Sequence, residues 1–527
     1  MGNAEILIAG LLVAVAGLST LGRQVGIPYP IVLVVGGAVF GFVPGIPEIT
    51  LNPNIVLVVF LPPLLYSAAF FTNLGDIRAN LRTVTINSVL LVLATMVVVA
   101  VLAHTLIAGM TWGAAFALGA IVSPTDPLAA ATIMRRLDFP RRLISGIEGE
   151  GLFNDATALV AYRVAVAAVV EGSFSLAHAS LSFLLDAAGG IAIGLAVGWA
   201  VAQIRGRIAD AQTSITISLL SGYAAFIPAD ALHLSGVLAA VTTGLYMGIK
   251  GPSIIPARTR LQGFFVWDVL DFLVNAILFV LVGLQLRNVV DRLPSRPVGT
   301  YAAYTLVISV AVIVTRMVWV FTIPYLIRAL DRRPAQRARR VGWRPRLVIG
   351  WSGMRGAVSL AAALALPFST HAGDPFPQRD LIIFLTFGVI LATLVIQGLT
   401  LPMLIHRLGI TRPQDEDDEE LRARLVATKA ALRELDELEH EDWTRDDTIE
   451  RMRGLYDYRK RRFAARAGKV EDDGYEDRSL AYQQTLQMVL AAQRDALIEL
   501  RNDGRISNEI MNQVIRELDL EESRLEI

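Results

Sequence analysis

The chain has 527 residues, 54% of them hydrophobic, and a mean hydropathy of +0.52. Only 18% of residues are charged, 48 basic and 48 acidic, and there is no cysteine. This excludes a soluble enzyme of two or three domains, a disulfide scaffold and thiolate metal sites, and six scattered histidines argue against a zinc cluster. Recurrent apolar stretches of roughly 18 residues or more predict an all-α polytopic membrane protein. The charges crowd into loops and the last part of the chain. Two regions are therefore expected: 1–412, a transmembrane domain, and 413–527, a cytosolic helical domain with a regulatory or dimerising role.

In chain order the apolar stretches predict thirteen spans: 4–22, 29–46, 52–72, 83–106, 111–135, 143–170, 181–203, 212–228, 232–249, 262–286, 298–326, 346–368 and 380–405. The start has no basic segment before its apolar run, so 4–22 reads as a first span rather than a signal peptide. Alternate loops are basic: Arg23; Arg78 and Arg82; Arg135, Arg136, Arg141 and Arg142; Arg205 and Arg207; Lys250, Arg258 and Arg260; the Arg-dense stretch 328–346; Arg407 and Arg412. The other loops hold only Arg287, Arg292, Arg296 and Arg379. By the positive-inside rule the N-terminus lies outside and the C-terminus in the cytoplasm. An odd count with opposite ends predicts two inverted six-helix repeats, spans 1–6 and 8–13, around a linking helix.

The fifth and twelfth spans hold equivalent places in the two repeats, and both have an unusual centre. In the fifth it is Ser123-Pro124-Thr125-Asp126-Pro127. Pro124 and Pro127 remove two amide donors, so an unwound segment is expected, with carbonyls and helix ends open to an ion. Thr125 offers a hydroxyl and a carbonyl; Asp126 balances the following helix N-terminus or holds a partner helix. The competing reading is a proline kink that only shapes the bundle. In the twelfth span Gly350, Gly353 and Gly356, the last two flanking Arg355, suit a second break or a tight helix contact.

The sixth span carries Glu148, Glu150, Asn154 and Asp155 ahead of an apolar run. Membrane carboxylates are costly and usually mark an ion or substrate path. Burial penalises the charged form of a carboxylate, so protons compete with a metal ion for it. Asp155 supplies the charge, while Asn154, Thr125, backbone carbonyls and water supply the neutral oxygens that Na⁺ or Li⁺ prefers. Glu150 lies about 140° from Asp155 around the helix and faces elsewhere. Arg355 needs a partner, and Glu150 is the natural one; the rival reading makes Arg355 an anion anchor. Glu148, two turns before Asp155, is an entry-funnel charge or a second titrating group. Ser67, after Leu61-Pro62-Pro63 in the third span, is an auxiliary ligand, a gate or simply structural.

These segments, with Gly149-Glu150-Gly151-Leu152-Phe153-Asn154-Asp155 and Gly353-Met354-Arg355-Gly356-Ala357-Val358-Ser359, resemble the monovalent cation/proton antiporter family, in its bacterial NhaP and animal NHE branch. The likeness covers about residues 5–410. It implies a homodimeric secondary transporter in a bacterial inner membrane, without cofactor or catalytic residue, that exchanges Na⁺ or Li⁺ for H⁺ and serves pH homeostasis. It makes Asp155 the ion and proton carrier, with the preceding Asn154 of the electroneutral branch. Thr125 and Asp126 become the broken-helix pair, and Glu150–Arg355 the stabilising salt bridge. It also implies a core bundle that moves like an elevator against a dimerising scaffold. Many relatives carry an acid where this chain has Ser67 and a serine where it has Gly151. The ligand set is therefore thinner and wetter, and K⁺ is harder to exclude.

Exchange then follows from competition at one carboxylate. The spans before Lys250 contain no lysine, which favours electroneutral exchange. The competing functions are K⁺/H⁺ antiport, a passive cation channel and an organic-anion symporter. In the tail, helices are expected at 419–440, 444–466, 478–500 and 505–520, with apolar faces through Leu421, Leu425, Leu432 and Leu435 and through Leu486, Val489, Leu490 and Leu497. The basic patch Arg459–Arg462 touches anionic lipid or is merely solvated. It is too short and too close to acidic residues to bind nucleic acid.

Overall fold

The structure, a computed structural model, describes residues 3–44, 56–72, 75, 82–172, 176–291, 293, 297–330, 341–410, 414–471 and 473–523. Arg78, Arg292, Arg296, Arg412 and positions 331–340 of the Arg-dense stretch lie outside the described residues, as do the ends 45–46 and 52–55 of the second and third predicted spans. The chain divides into two compact units, Met1–Arg412 and Pro413–Ile527.

The first unit is helical throughout its described residues apart from loops and one isolated bridge between Ser369 and Pro375. Its helices are α1 (Asn3–Val25), α2 (Tyr29–Gly41), α3 (Leu61–Phe71), α4 (Val92–Leu106), α5 (Trp112–Val122), α6 (Pro127–Arg136), α7 (Arg141–Glu171), α8 (Leu176–Arg205), α9 (Ala211–Ala231) and α10 (Gly236–Ile254). They continue with α11 (Ala257–Asp291), α12 (Val298–Leu330), α13 (Trp343–Trp351), α14 (Ala357–Leu364), α15 (Arg379–Ala392) and α16 (Gly398–Leu408). Wider π turns precede α3 and α4 and join α15 to α16, at Val56–Phe60, Ile86–Leu91 and Thr393–Gln397. Among the described residues, seven helices are long and apolar enough to cross a membrane, and the fifth predicted span is one of them, Trp112–Arg136, interrupted at its prolines. Several outer helices present large apolar side chains to their surroundings, such as Leu184 on α8 and Leu306 and Val318 on α12. That is the distribution expected of a protein whose solvent is lipid.

Small residues set the helix spacing. α2 packs along α11, and there Gly37 lies on the carbonyl of Val280 while Gly283 lies on that of Val34. With hydrocarbon on the outside, close van der Waals contact rather than water release drives such pairs together. One apolar cluster joins α4, α5, α7, α12 and α15 through Leu118, Ile121, Ile308 and Leu385; another joins α2, α6, α11 and α15 through Leu33, Met134, Phe279 and Phe387. The two broken spans lie where these clusters approach each other.

The second unit contains α17 (Gln414–Leu438), α18 (Asp446–Arg466), α19 (Tyr475–Asn502) and α20 (Asn508–Glu522). Helix α17 packs on α18 and α19 on α20. Arg453 clamps the first pair through Asp436 (2.9 Å) and Glu439 (2.8 Å); Arg494 clamps the second through Asp519 (2.6 Å) and Glu522. The hydrogen bond from Arg453 holds the Glu439 carboxyl below its ordinary range. Leu425, Leu435 and Leu490 are buried as their spacing predicts, but Val489 is exposed.

Gly37→Ala or Gly283→Ala places a methyl inside the van der Waals radius of a facing carbonyl. Each is expected to cost about 1–3 kcal/mol of stability, read as a lowered melting temperature of the detergent-solubilised protein.

Candidate functional site

The fifth span breaks where its sequence removes donors. Helix α5 stops at Val122, and the Ser123 hydroxyl donates back to the Ala120 carbonyl (3.0 Å). Helix α6 restarts at Pro127, which needs no partner for a missing N–H. Asp126 is its N-cap: Oδ1 accepts from the amide of Leu128 (2.9 Å). The second break lies between α13 and α14, with Gly356 as N-cap of α14. The two breaks are joined directly, since the amide of Asp126 donates to the carbonyl of Met354 (2.8 Å).

Charges complement the helix ends so exposed. Gly356 lies so close to the Asp126 carboxylate that a methyl there would overlap its Oδ2. Asp126 thus stands at the positive N-termini of both α6 and α14. Arg355, 1% exposed, does the opposite job. Its Nε donates to the carbonyl of Val122, at the C-terminus of α5 (3.0 Å), and its Nη1 to the carbonyl of Gly353. Its own amide donates to the Thr393 hydroxyl in the π turn between α15 and α16 (3.2 Å).

The expected Glu150–Arg355 pair is not the one formed. Glu150, 4% exposed, pairs with Arg316 of α12, 1% exposed. The other Glu150 oxygen accepts from Asn87 (3.0 Å), whose own oxygen accepts from Trp319 (3.1 Å). Arg355 is committed to carbonyls at the break, so Glu150, pointing away from Asp155 around α7, meets the neighbouring helix. Arg316 was legible in principle: an arginine mid-way along an apolar span must have a partner.

Asn154 donates through Nδ2 to the Thr125 hydroxyl (2.9 Å) and carbonyl (3.3 Å), tying α7 to the first break. Its Oδ1 is buried without a partner. Gly151 allows the close approach: a Cβ there would stand 2.5 Å from both Cδ and Cγ of Pro127. Asp155 differs from its neighbours, for no ion pair or hydrogen bond reaches its carboxylate among the described residues. It lines a cavity of about 600 Å³ together with Ser67, Asp126, Pro124, Pro127, Glu148 and Gly356. Asp155 also borders a separate small apolar pocket lined by Leu159, Tyr162 and Val358. Glu148 pairs at 2.6 Å with the exposed Arg135. Of the predicted ligands, Asp155, Asp126 and Ser67 reach the cavity, while Thr125 and Asn154 are buried behind it.

Sequence reading passed over Asp268, Asp271 and Asn275 of α11 and Ser359 of α14, which line the same cavity. The acids sit in Trp267-Asp268-Val269-Leu270-Asp271, inside the apolar Ala257–Asp291 helix, and that placement was the available signal.

Two helices broken at their crossing, beside an unpaired membrane aspartate at the end of a cavity, form the architecture of an ion-coupled secondary transporter. Residues 10–407 match the family described as "Sodium/hydrogen exchanger, transmembrane", and the chain belongs to that family of membrane cation/proton antiporters. It is 36% identical over 524 residues to an uncharacterized Na(+)/H(+) exchanger of Mycobacterium tuberculosis, covering 99% of this chain and 96% of that protein. It is 32% identical to a sodium, potassium, lithium and rubidium/H(+) antiporter of Bacillus pumilus, over 82% of this chain and 66% of that one. The sodium proton antiporter MjNhaP1 of Methanocaldococcus jannaschii shares the fold, with a TM-score of 0.61 at 20% identity over 78% of this chain and 99% of that one.

Glu150→Gln strands the buried Arg316 charge and is expected to cost about 3–5 kcal/mol of stability. Combining Glu150→Met with Arg316→Met should recover much of this. A double-mutant cycle of melting temperatures should give stronger coupling for Glu150 with Arg316 than with Arg355.

Proposed function

We propose that the protein exchanges Na⁺ or Li⁺ for H⁺ by competition at Asp155, one cation for one proton, so that no net charge moves. The observation that carries this is the isolation of the Asp155 carboxylate. Asp126 is taken up by helix ends, Glu150 by Arg316, and Glu148 by Arg135. Asp155 is left on the cavity wall, open to a cation or a proton. Neutral oxygens come from Ser67, Ser359, water and the unwound carbonyls of the first break. Thr125 and Asn154 act from behind, Asn154 by fixing the shape of that break. The loaded forms cross; the bare anion does not, because nothing compensates its charge in the low-dielectric interior.

K⁺ transport is a second reading. The name of the Bacillus pumilus relative includes potassium and rubidium, and a roomy cavity with neutral Ser67 on its wall discriminates weakly by size. On our reading the protein lies in a bacterial inner membrane as a homodimer, N-terminus outside. The cavity mouth by Arg135 then faces the cytoplasm, and residues 413–527 form a cytosolic regulatory or dimerising domain.

In proteoliposomes with an acidic lumen, external Na⁺ should drive protons out, and Asp155→Asn should reduce the rate to that of empty liposomes. An imposed membrane potential should leave the wild-type initial rate unchanged. A rate that follows voltage would sink the one-for-one stoichiometry, and an active Asp155→Asn protein would sink the role of Asp155. A cation series under the same conditions decides between Na⁺ and K⁺.

Gly151→Ser should also impair exchange strongly, since its side chain meets the Pro127 ring. About 1–3 kcal/mol of strain falls on the break itself, and the loss should appear in the exchange rate of protein that still elutes as a single folded species.

A further inference from the structure

The cavity that Asp155 lines has two further membrane carboxylates on its wall, Asp268 and Asp271, and the exchange chemistry above uses neither. Asp271 lies within α11, in the apolar Ala257–Asp291 stretch. It makes no ion pair among the described residues. Its Oδ1 accepts a hydrogen bond from the Ser67 hydroxyl at 2.7 Å, and its backbone carbonyl accepts from Asn275 Nδ2 at 2.8 Å. Ser67 is buried and has one proton to give; the nearer, charged acceptor takes it in preference to the Leu64 carbonyl at 3.1 Å.

An ionised carboxylate offers about four lone-pair positions. Ser67 uses one of those on Asp271. The Asn275 side chain lines the cavity too, and with Nδ2 engaged its amide oxygen is the free end. The cavity wall therefore presents hard oxygen ligands and the negative charge of Asp271, with the Asp268 carboxylate one turn before it on the same wall, the donor set that suits a cation shedding part of its water. Asp271 and Asp155 reach this common cavity from different helices, α11 packed on α2 and α7 packed on α5.

We infer that Asp271, oriented by Ser67, is a staging carboxylate: it takes the incoming monovalent cation, partly dehydrated, and passes it to Asp155 while carrying no proton across itself. This rests on Asp155 being the exchange site. Asp271 then sets the apparent affinity for the cation but not the maximal rate.

The alternative is a stitch between α3 and α11, and Asp271→Asn separates the two, because an asparagine oxygen still accepts from Ser67 while the charge is gone. The experiment is a Na⁺ titration of proton efflux from proteoliposomes, with melting temperatures measured on the same preparations. Asp271→Asn should raise the KM for Na⁺ on the order of tenfold, the scale of one half-hydrated charge contact, at near wild-type maximal rate and melting temperature. Ser67→Ala should raise KM in the same direction but less. The exchange Ser67→Asp with Asp271→Ser, which returns the charge to the same wall from α3, should restore it. A wild-type KM in folded Asp271→Asn protein would overturn the inference. So would loss of exchange at saturating Na⁺, which would make Asp271 a carrier. Asp155→Asn runs in parallel: if it exchanges, the Asp155 reading falls first; if it is dead and Asp271→Asn is normal, only the staging role falls.

Discussion

A helix interrupted inside a low-dielectric layer exposes partial charges that water cannot screen, and the rest of the site depends on how these are neutralised. Here one acid and one base do it. Asp126 faces the N-termini of α6 and α14, and Arg355 faces the carbonyls that end α5 and border the second break. The backbone bond from Asp126 to Met354 locks the two breaks together. Without both charges, the unwound segments would carry unsatisfied groups that cost several kcal/mol each in hydrocarbon. They could not then serve as an open, polar surface.

The same arrangement decides which charges remain available. Asp126 and Arg355 are each set against helix ends, and Glu150 is paired with Arg316. Asp155 is left over on α7, one residue beyond the Asn154 that braces the first break. On the exchange proposed above, competition at Asp155 needs a frame at the breaks whose own charges are already met. The frame need not change its own charge when the cargo changes. Asp268 and Asp271 add further carboxylates to the cavity wall, from a helix outside this frame.

Much of this was legible in the residues. The prolines of 123–127 and the glycines of 350–356 marked both breaks, because missing amides and absent side chains are local properties. The apolar runs marked where helices lie, and the acidic residues of α7 stood out against them. The partner of Glu150 was not legible in the same way. Arg355 and Arg316 were both candidates, and only packing shows that Arg355 is consumed by carbonyls. Ser67 read as an isolated hydroxyl, because its acceptor, Asp271, is distant in sequence. Val489 followed a helical apolar stripe yet is exposed.

By itself, then, the sequence determined the membrane-helical class and the positions of the helix breaks, and it singled out Asp155 as the candidate carrier. Each depends on the composition of a short segment and on the cost of polar groups in lipid. Tertiary structure alone decided who pairs with whom: Glu150 with Arg316, Arg355 with Val122, Ser67 with Asp271. Those choices follow from distances and directions between helices far apart in the chain, and in a low-dielectric interior a few ångströms determine which opposite charge wins.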